Sequence, residues 1–536
     1  MLDTLIIGGG HNGLVCAAYL ARAGQNVLVL ERRGLVGGAA VTEELAPGYR
    51  CSTASYVISL LLPEVERELR LREHGYKVLP RSPSSFTPFE DGRSLLMGPD
   101  AALNHREISK FSKRDAEAYP RYEAWLSRIA ETLEPTLMKT PPELLPMPGS
   151  WRRRGLAHKL RNLLRGRSVL KAFESLGEDL PEAIEVLTGP ATPILDRWFE
   201  SDELKGTLAT DAIIGTFAPP SAPGTAYVLL HHVMGMAGGA RGVWGYVEGG
   251  MGALTNAMAA SAQRFGAQIR CDAPVARILV REGRAVGVQL ADGEVIEARR
   301  VVSNATAAVT FGQLLSDGDL PAPFAAAVKR IDYASASVKI NLAVSELPDF
   351  IARPNEGSAP GPQHRGTIHI GATPEYIERA YEDARRGGLS ERPVIEMTIP
   401  SSVDTTLAPA GHHIVGLFVQ YAPYALKGTT WDEQRERFAD RCVAEITRYA
   451  PNFERSILHR QVLAPPDLEA RFGLTGGNIF QGAMPLHQLF TFRPVPGWSD
   501  YRTPLPGLYL CGAATHPGGG VMGACGRNAA QAILQD

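Results

Sequence analysis

Cysteine is scarce and scattered. The six cysteines, Cys16, Cys51, Cys271, Cys442, Cys511 and Cys525, include no Cys-x-x-Cys and no other closely spaced pair. That argues against a disulfide framework, a zinc site and a redox-active dithiol, and no metal is expected. Charge of one sign is also lacking. The formal net charge is −2 over 536 residues, so bulk electrostatics favours neither nucleic acid nor an anionic membrane, and no nucleic-acid partner is expected. No uninterrupted apolar run reaches the roughly 18 residues of a spanning helix. No internal repeat of about 20–50 residues is visible. The first strand begins almost at Met1, which leaves no room for a signal or transit peptide. The expected location is the reducing cytoplasm. Peripheral membrane contact, or the mitochondrial matrix for a relative of animal type, stand beside it. What remains is the composition of an ordinary globular protein, 44% hydrophobic and 21% charged, long enough for two or more domains.

Against these absences stand the first forty residues. Leu5-Ile6-Ile7 feed Gly8-Gly9-Gly10-His11-Asn12-Gly13, a helical run reaches Gly24, and Val27-Leu28-Val29-Leu30 end on Glu31. Strand, Gly-x-Gly-x-x-Gly, helix, strand and acid together form the dinucleotide fingerprint. Gly8 permits the tight turn, Gly10 lets backbone approach a pyrophosphate, and Gly13 lets the helix pack on the sheet. The helix N-terminus offers unpaired N–H groups to the phosphates. Glu31 is placed to accept from ribose hydroxyls, which disfavours a 2′-phosphate there, although Arg32 and Arg33 are close by. No Lys follows the glycines, so this is not a Walker loop. A second glycine pair, Gly37-Gly38, follows.

Nucleotide-domain character returns twice. Gly249-Gly250-Met251-Gly252 opens a helix, after which alternating runs around Val275, Ile278 and Val288 are separated by the turn signals Glu282-Gly283 and Asp292-Gly293. They predict a three-stranded meander closing into Val301-Val302. Later, Leu508-Tyr509-Leu510 enter a glycine-rich loop, with a helix predicted from Val521 to Leu534. The expected organisation is one α/β nucleotide domain built from residues 1–70, 245–310 and 475–536. A second domain comprises residues 71–244, mostly helical, and 311–474, with strands predicted at Ser337–Val344, Thr367–Ile370, Val394–Ile399 and His413–Gln420.

The N-terminal fingerprint with Gly37-Gly38, and Gly512-Ala513 followed by Thr515-His516-Pro517-Gly518-Gly519-Gly520-Val521, resemble the phytoene-desaturase-like FAD oxidoreductases. Further stretches carry the likeness across nearly the whole chain: Trp198–Ser201, Tyr227–Gly235, Gly249–Gly252 and Gly476–Phe480. Desaturase-like carotene ketolases are more distantly similar. The resemblance implies a Rossmann-like FAD-binding domain of the glutathione-reductase and amine-oxidase type, with an inserted α+β substrate domain. It implies non-covalent FAD held by Gly8, Gly10, His11, Asn12, Gly13, Glu31, Arg32, Gly37, Gly38, Ala39, Val275, Gly512, Ala513, Val521 and Met522. Members often have Arg where Ala39 stands and an acid where Ala513 stands, so those side-chain contacts are lost or supplied elsewhere. The activity implied is removal of hydride from an apolar, isoprenoid- or carotenoid-like carbon substrate to flavin N5. Two alternatives stand beside it: a flavin-binding regulatory or assembly protein with a structural cofactor, and an amine-oxidase-like enzyme. Without a dithiol or a second strand–Gly-x-Gly-x-x-Gly–helix unit, disulfide reduction and stable binding of a nicotinamide nucleotide are not expected.

Two residues are candidates for catalysis. Lys339 interrupts an apolar strand. The resemblance to amine-oxidizing relatives implies an ammonium that holds a water beside the flavin, and a buried ion pair is the alternative. His516, in the flavin loop, is either an acid/base or a cap for the loop backbone. His231 and His232 lack partners at metal-ligand spacing. Phe492-Arg493-Pro494 and Trp244-Gly245-Tyr246 belong either to the cavity wall or to the core. Residues 151–171 are basic and amphipathic, with Leu156, Leu160, Leu163 and Leu164 at helical spacing. They read as an interfacial helix in peripheral contact with a membrane, or as a solvated helix or oligomer contact.

Overall fold

Apolar runs at the start of the chain become strands covered on both faces. A computed structural model describes residues 2–143, 156–237 and 240–536. In β1 (Leu2–Ile7), Ile6 packs into one hydrophobic cluster, while Leu5 and Ile7 pack into another on the opposite face. The helix α1 (His11–Arg22) follows, then β2 (Val27–Leu30) with the same two-sided burial. β1 pairs in parallel with β2, Leu5 opposite Leu28, and with the strand Val295–Ser303, Leu5 opposite Val301. Gln268–Arg270 and Leu508–Leu510 extend this parallel layer on its two sides.

Val295–Ser303 is the pivot of this sheet. Its second half lies in the parallel layer. Its first half pairs antiparallel with Arg284–Leu290, which pairs with Val275–Arg281. The predicted meander is therefore present and runs on into the main sheet. Its first turn has Glu282 at φ 49° and Gly283 at φ 69°, positive at both central positions as a tight hairpin turn requires. The helices Met251–Arg264 and Ala524–Leu534 pack against α1. At Gly526 a Cβ would lie 2.1 Å from the Asn12 carbonyl oxygen, so only glycine permits this helix contact. The C-terminal helix starts three residues later than expected, because Gly523 takes a left-handed conformation (φ 73°) in front of it.

The second sheet runs in the order Ile457–Leu463, Ser337–Val344, His413–Gln420, Val394–Thr398, Thr367–Ile370, Ser85–Pro88, Ser94–Met97. The four strands predicted in residues 311–474 are all present. The two from residues 85–97 are four residues each, too short to carry a readable alternation in a region otherwise read as helical. One face of the sheet (Val338, Ile340, Leu342, Ile395, Met397, Leu417) packs under the helix Trp431–Tyr449 through Phe438, Cys442 and Ile446. The other face carries Lys339, Glu396 and His369 and borders a cavity. Among the described residues no helix is long and apolar enough to cross a membrane.

Candidate functional site

A cavity of about 900 Å3 begins at the carboxyl ends of β1 and β2 and extends to the polar face of the second sheet. Its first end is built by the glycine turn. Gly8 has φ 95°, and Gly10 is an N-cap without a side-chain hydrogen bond, so the first N–H groups of α1 remain available to an anion. Crowding enforces the glycines: a Cβ on Gly10 would lie 2.8 Å from Asn304 Nδ2, and one on Gly13 2.3 Å from the Gly8 carbonyl oxygen. Gly37 (φ 118°) donates its N–H to the Gly9 carbonyl, which brings the second glycine pair beneath the first. Glu31 is buried, and its two oxygens accept from the Gly9 and Arg33 N–H groups at 2.8 and 2.9 Å. A carboxylate fixed by two backbone donors at the end of β2, beside a cradle with no room for side chains, fits the ribose and pyrophosphate of a dinucleotide.

The residues expected to hold the cofactor are not all alike in position. Gly8, Gly10, His11, Asn12, Glu31, Arg32, Gly37, Gly38, Ala39, Val275, Ala513 and Val521 line the cavity. Gly13, Gly512 and Met522 stand behind it. Gly13 and Gly512 permit close backbone approaches, and Met522 is buried in the core. The Asn12 side chain accepts from the Gly526 N–H at 3.4 Å through Oδ1. Arg32 donates to the Ala470 carbonyl. Sequence reasoning missed Asn304 and the Arg471-Phe472 wall. Arg33 and Arg471 share Glu43, at 2.6 and 2.9 Å, and both flank the Phe472 ring.

At the other end, strand register assembles a polar row. Lys339 lies opposite Phe418, Phe418 opposite Glu396, and Glu396 opposite His369. All four line the cavity. Lys339 donates to Asn341 Oδ1 at 2.6 Å, and its Nζ lies 5.2 Å from the centre of the Tyr56 ring. Burial lowers its pKa to about 8. Tyr56 Oη donates to Glu396 Oε1 at 2.9 Å. Burial raises the pKa of Glu396 and of Asp211, another wall residue, and lowers that of His369 to about 3. Arg81 completes this end, with Nη1 donating to Thr367 Oγ1 at 2.7 Å and Nε to the Trp244 carbonyl at 2.9 Å. An apolar substrate is the expectation, and this end of the cavity wall carries polar side chains.

Of the two catalytic candidates the structure brings only Lys339 to the cavity. His516 is buried behind the wall, its ring 6.0 Å from that of Phe490, and does not line the cavity. Arg493 also belongs to the frame. It donates to the carbonyls of Phe480, Gly482, Ala483, Gln488 and Ala513, and so pins the C-terminal cofactor loop. Trp244, His231 and His232 line the cavity, whereas Tyr246 does not. Cys16 and Cys511, distant in sequence, meet in the core. Burial pushes the Cys511 thiol far up, so it supplies no thiolate for disulfide chemistry. Among the described residues, Glu143, His158 and Asp500 are grouped closely enough to hold a metal ion. They lie outside the cavity wall, and Asp500 already pairs with Arg502 at 3.0 Å.

Comparison with known proteins gives the same fold. Residues 13–534 match the family model described as flavin containing amine oxidoreductase. The chain is 50% identical over 546 residues to pyridine nucleotide-disulfide oxidoreductase domain-containing protein 2 of Rattus norvegicus, covering all of this chain and 93% of the relative. It is 25% identical to the lycopene-forming phytoene desaturase of Pseudescherichia vulneris, covering all of this chain and 99% of that one. A solved structure of putrescine oxidase bound to putrescine superposes with a TM-score of 0.60 at 16% identity, covering 100% of this chain and 99% of that one.

Proposed function

Because the chain belongs to the flavin-containing amine oxidoreductase family, we propose that it is an FAD-dependent oxidoreductase acting on a carbon substrate with polar groups. The observation that carries the polar substrate is the row of Lys339, Glu396 and His369 on the cavity wall. FAD would be held by the glycine cradle, the N–H groups of α1 and Glu31, and when bound it supplies the acceptor for a hydride. A C–H bond of the substrate gives up hydride, and a neighbouring C–H, N–H or O–H gives up a proton, so that a double bond forms. The two electrons then pass to an external acceptor of the dioxygen or quinone class. Lys339, in its neutral form, takes the departing proton directly or through a water, and the Tyr56–Glu396 pair orients the substrate's polar group.

Likeness to a phytoene desaturase supports a second reading, desaturation of an isoprenoid chain, in which the polar row would face only one end of the substrate. We also propose peripheral membrane contact through the basic helix Leu156–Ser175. The test of the first reading is the purified protein itself. Acid should release one FAD per chain, and an organic donor should bleach that flavin anaerobically. A flavin that only dithionite reduces would indicate a structural cofactor, and a chain that binds no flavin would overturn both enzymatic readings.

A further inference from the structure

Arg81 is a buried cation with no ion pair among the described residues. Only 4% of it is exposed, yet its hydrogen bonds to the Trp244 carbonyl and the Thr367 hydroxyl end on neutral groups. Its guanidinium also lies 5.3 Å from the centre of the neutral Tyr246 ring. A guanidinium has five N–H donors in a planar fork, so these partners leave donors over, and Arg81 is part of the cavity wall. Glu396 and Asp211 act on it only through space, without an ion pair, and burial raises the pKa of both carboxyls. An uncompensated buried charge is costly unless a partner arrives.

We propose that Arg81 is the anion-recognition residue of this cavity, and that the molecule oxidised there carries a carboxylate. A carboxylate matches the planar fork in two parallel hydrogen bonds. Its single charge balances Arg81 without crowding the Glu396 and Asp211 oxygens. A phosphate dianion would carry one more negative charge than Arg81 balances. With the carboxylate held at Arg81, the rest of the substrate lies along the row formed by Glu396, Phe418 and Lys339, and its oxidisable carbon is directed toward the cofactor end. Arg81 thereby sets specificity by position, while proton transfer remains with Lys339. The inference rests on the reading of the cavity as that of a flavin oxidoreductase.

The test is a titration of the flavin-loaded protein with benzoate, with its neutral isostere benzamide, and with inorganic phosphate, following the flavin absorbance. Benzoate should give a saturable shift, benzamide should bind about thirty-fold or more weakly, and phosphate should give none. Arg81→Met should weaken benzoate by about thirty-fold or more with flavin content unchanged, and Arg81→Lys should restore part of the loss. Equal binding of benzoate and benzamide, preference for phosphate, no response to any of the three, or an unchanged benzoate affinity in Arg81→Met would overturn the inference. If Arg81→Met fails to fold, the benzoate-to-benzamide ratio of the wild type and the Arg81→Lys variant decide it. Failure of these titrations with flavin still bound and reducible overturns the carboxylate alone. Failure to bind flavin overturns the reading beneath it.

Discussion

Lys339 sits in the middle of a strand whose eight residues, Ser337–Val344, are all buried. The neighbouring strand makes room for it: a Cβ on Gly416 would lie 2.8 Å from its Nζ. Burial is the largest cause of the fall in its pKa from 10.5 to about 8. Between those two values the folded chain binds fewer protons at this site than the unfolded chain does, so stability rises with pH across the window. Below pH 8 the buried ammonium costs on the order of 3 kcal/mol. Denaturant unfolding of the flavin-loaded protein should therefore show the wild type gaining stability relative to Lys339→Met from about pH 8 upward. Parallel stability curves for the two proteins would show that the ammonium is not held in an unfavourable environment. The same titration furnishes a neutral amine above about pH 8, which is the form able to take a proton from a substrate.

Elements differ in how plainly the sequence displays them. The cofactor turn and its two flanking strands are contiguous, and each glycine has a local steric reason, so that half of the site was legible. The four strands Ser337–Val344, Thr367–Ile370, Val394–Thr398 and His413–Gln420 were legible too, from their apolar content. Their mutual register was not, because it is fixed by pairing between residues up to about eighty positions apart. Glu396 interrupts its apolar strand as Lys339 interrupts its own, and His369 does the same. The signal was present in each strand, but only register turns three isolated polar residues into one row. Asp211 and Arg81 carried no such pattern, since they lie in a short helical turn and a connecting segment.

The basic segment raises a separate question at this scale. Arg152, Arg153 and Arg154 lie outside the described residues. In the helix Leu156–Ser175, Leu156, Leu160, Leu163 and Leu164 are 84, 57, 67 and 58% exposed, so their stripe does not pack into a core. Lys159, Arg161, Arg167 and Lys171 share the helix. Leucines beside basic residues suit the boundary of an anionic bilayer. Flotation with vesicles rich in anionic lipid should carry the protein upward, and replacing the four leucines with serine should abolish this. A wild type that stays at the bottom of the gradient would remove the membrane and leave a partner-protein contact for this face.

At the scale of the molecule, one cavity joins two sheets of different design. The parallel sheet presents strand ends and a helix N-terminus, which suit a dinucleotide. The antiparallel sheet presents a side-chain row, which suits a substrate. Arg493 holds the loop around residues 512–523 at the Ala513 carbonyl, and Cys525 of the C-terminal helix meets it at the Thr515 and Gly518 carbonyls. Neither sheet alone holds both the glycine cradle and Lys339, so the proposed chemistry depends on their meeting. The most direct measurement is anaerobic stopped-flow of the flavin-loaded protein against a panel of amino acids, hydroxy acids, amines and phytoene. Bleaching of the flavin by a polar member, slowed by a hundred-fold or so in Lys339→Met, is the expected result. Bleaching by phytoene alone, or equal rates in the wild type and Lys339→Met, would contradict it.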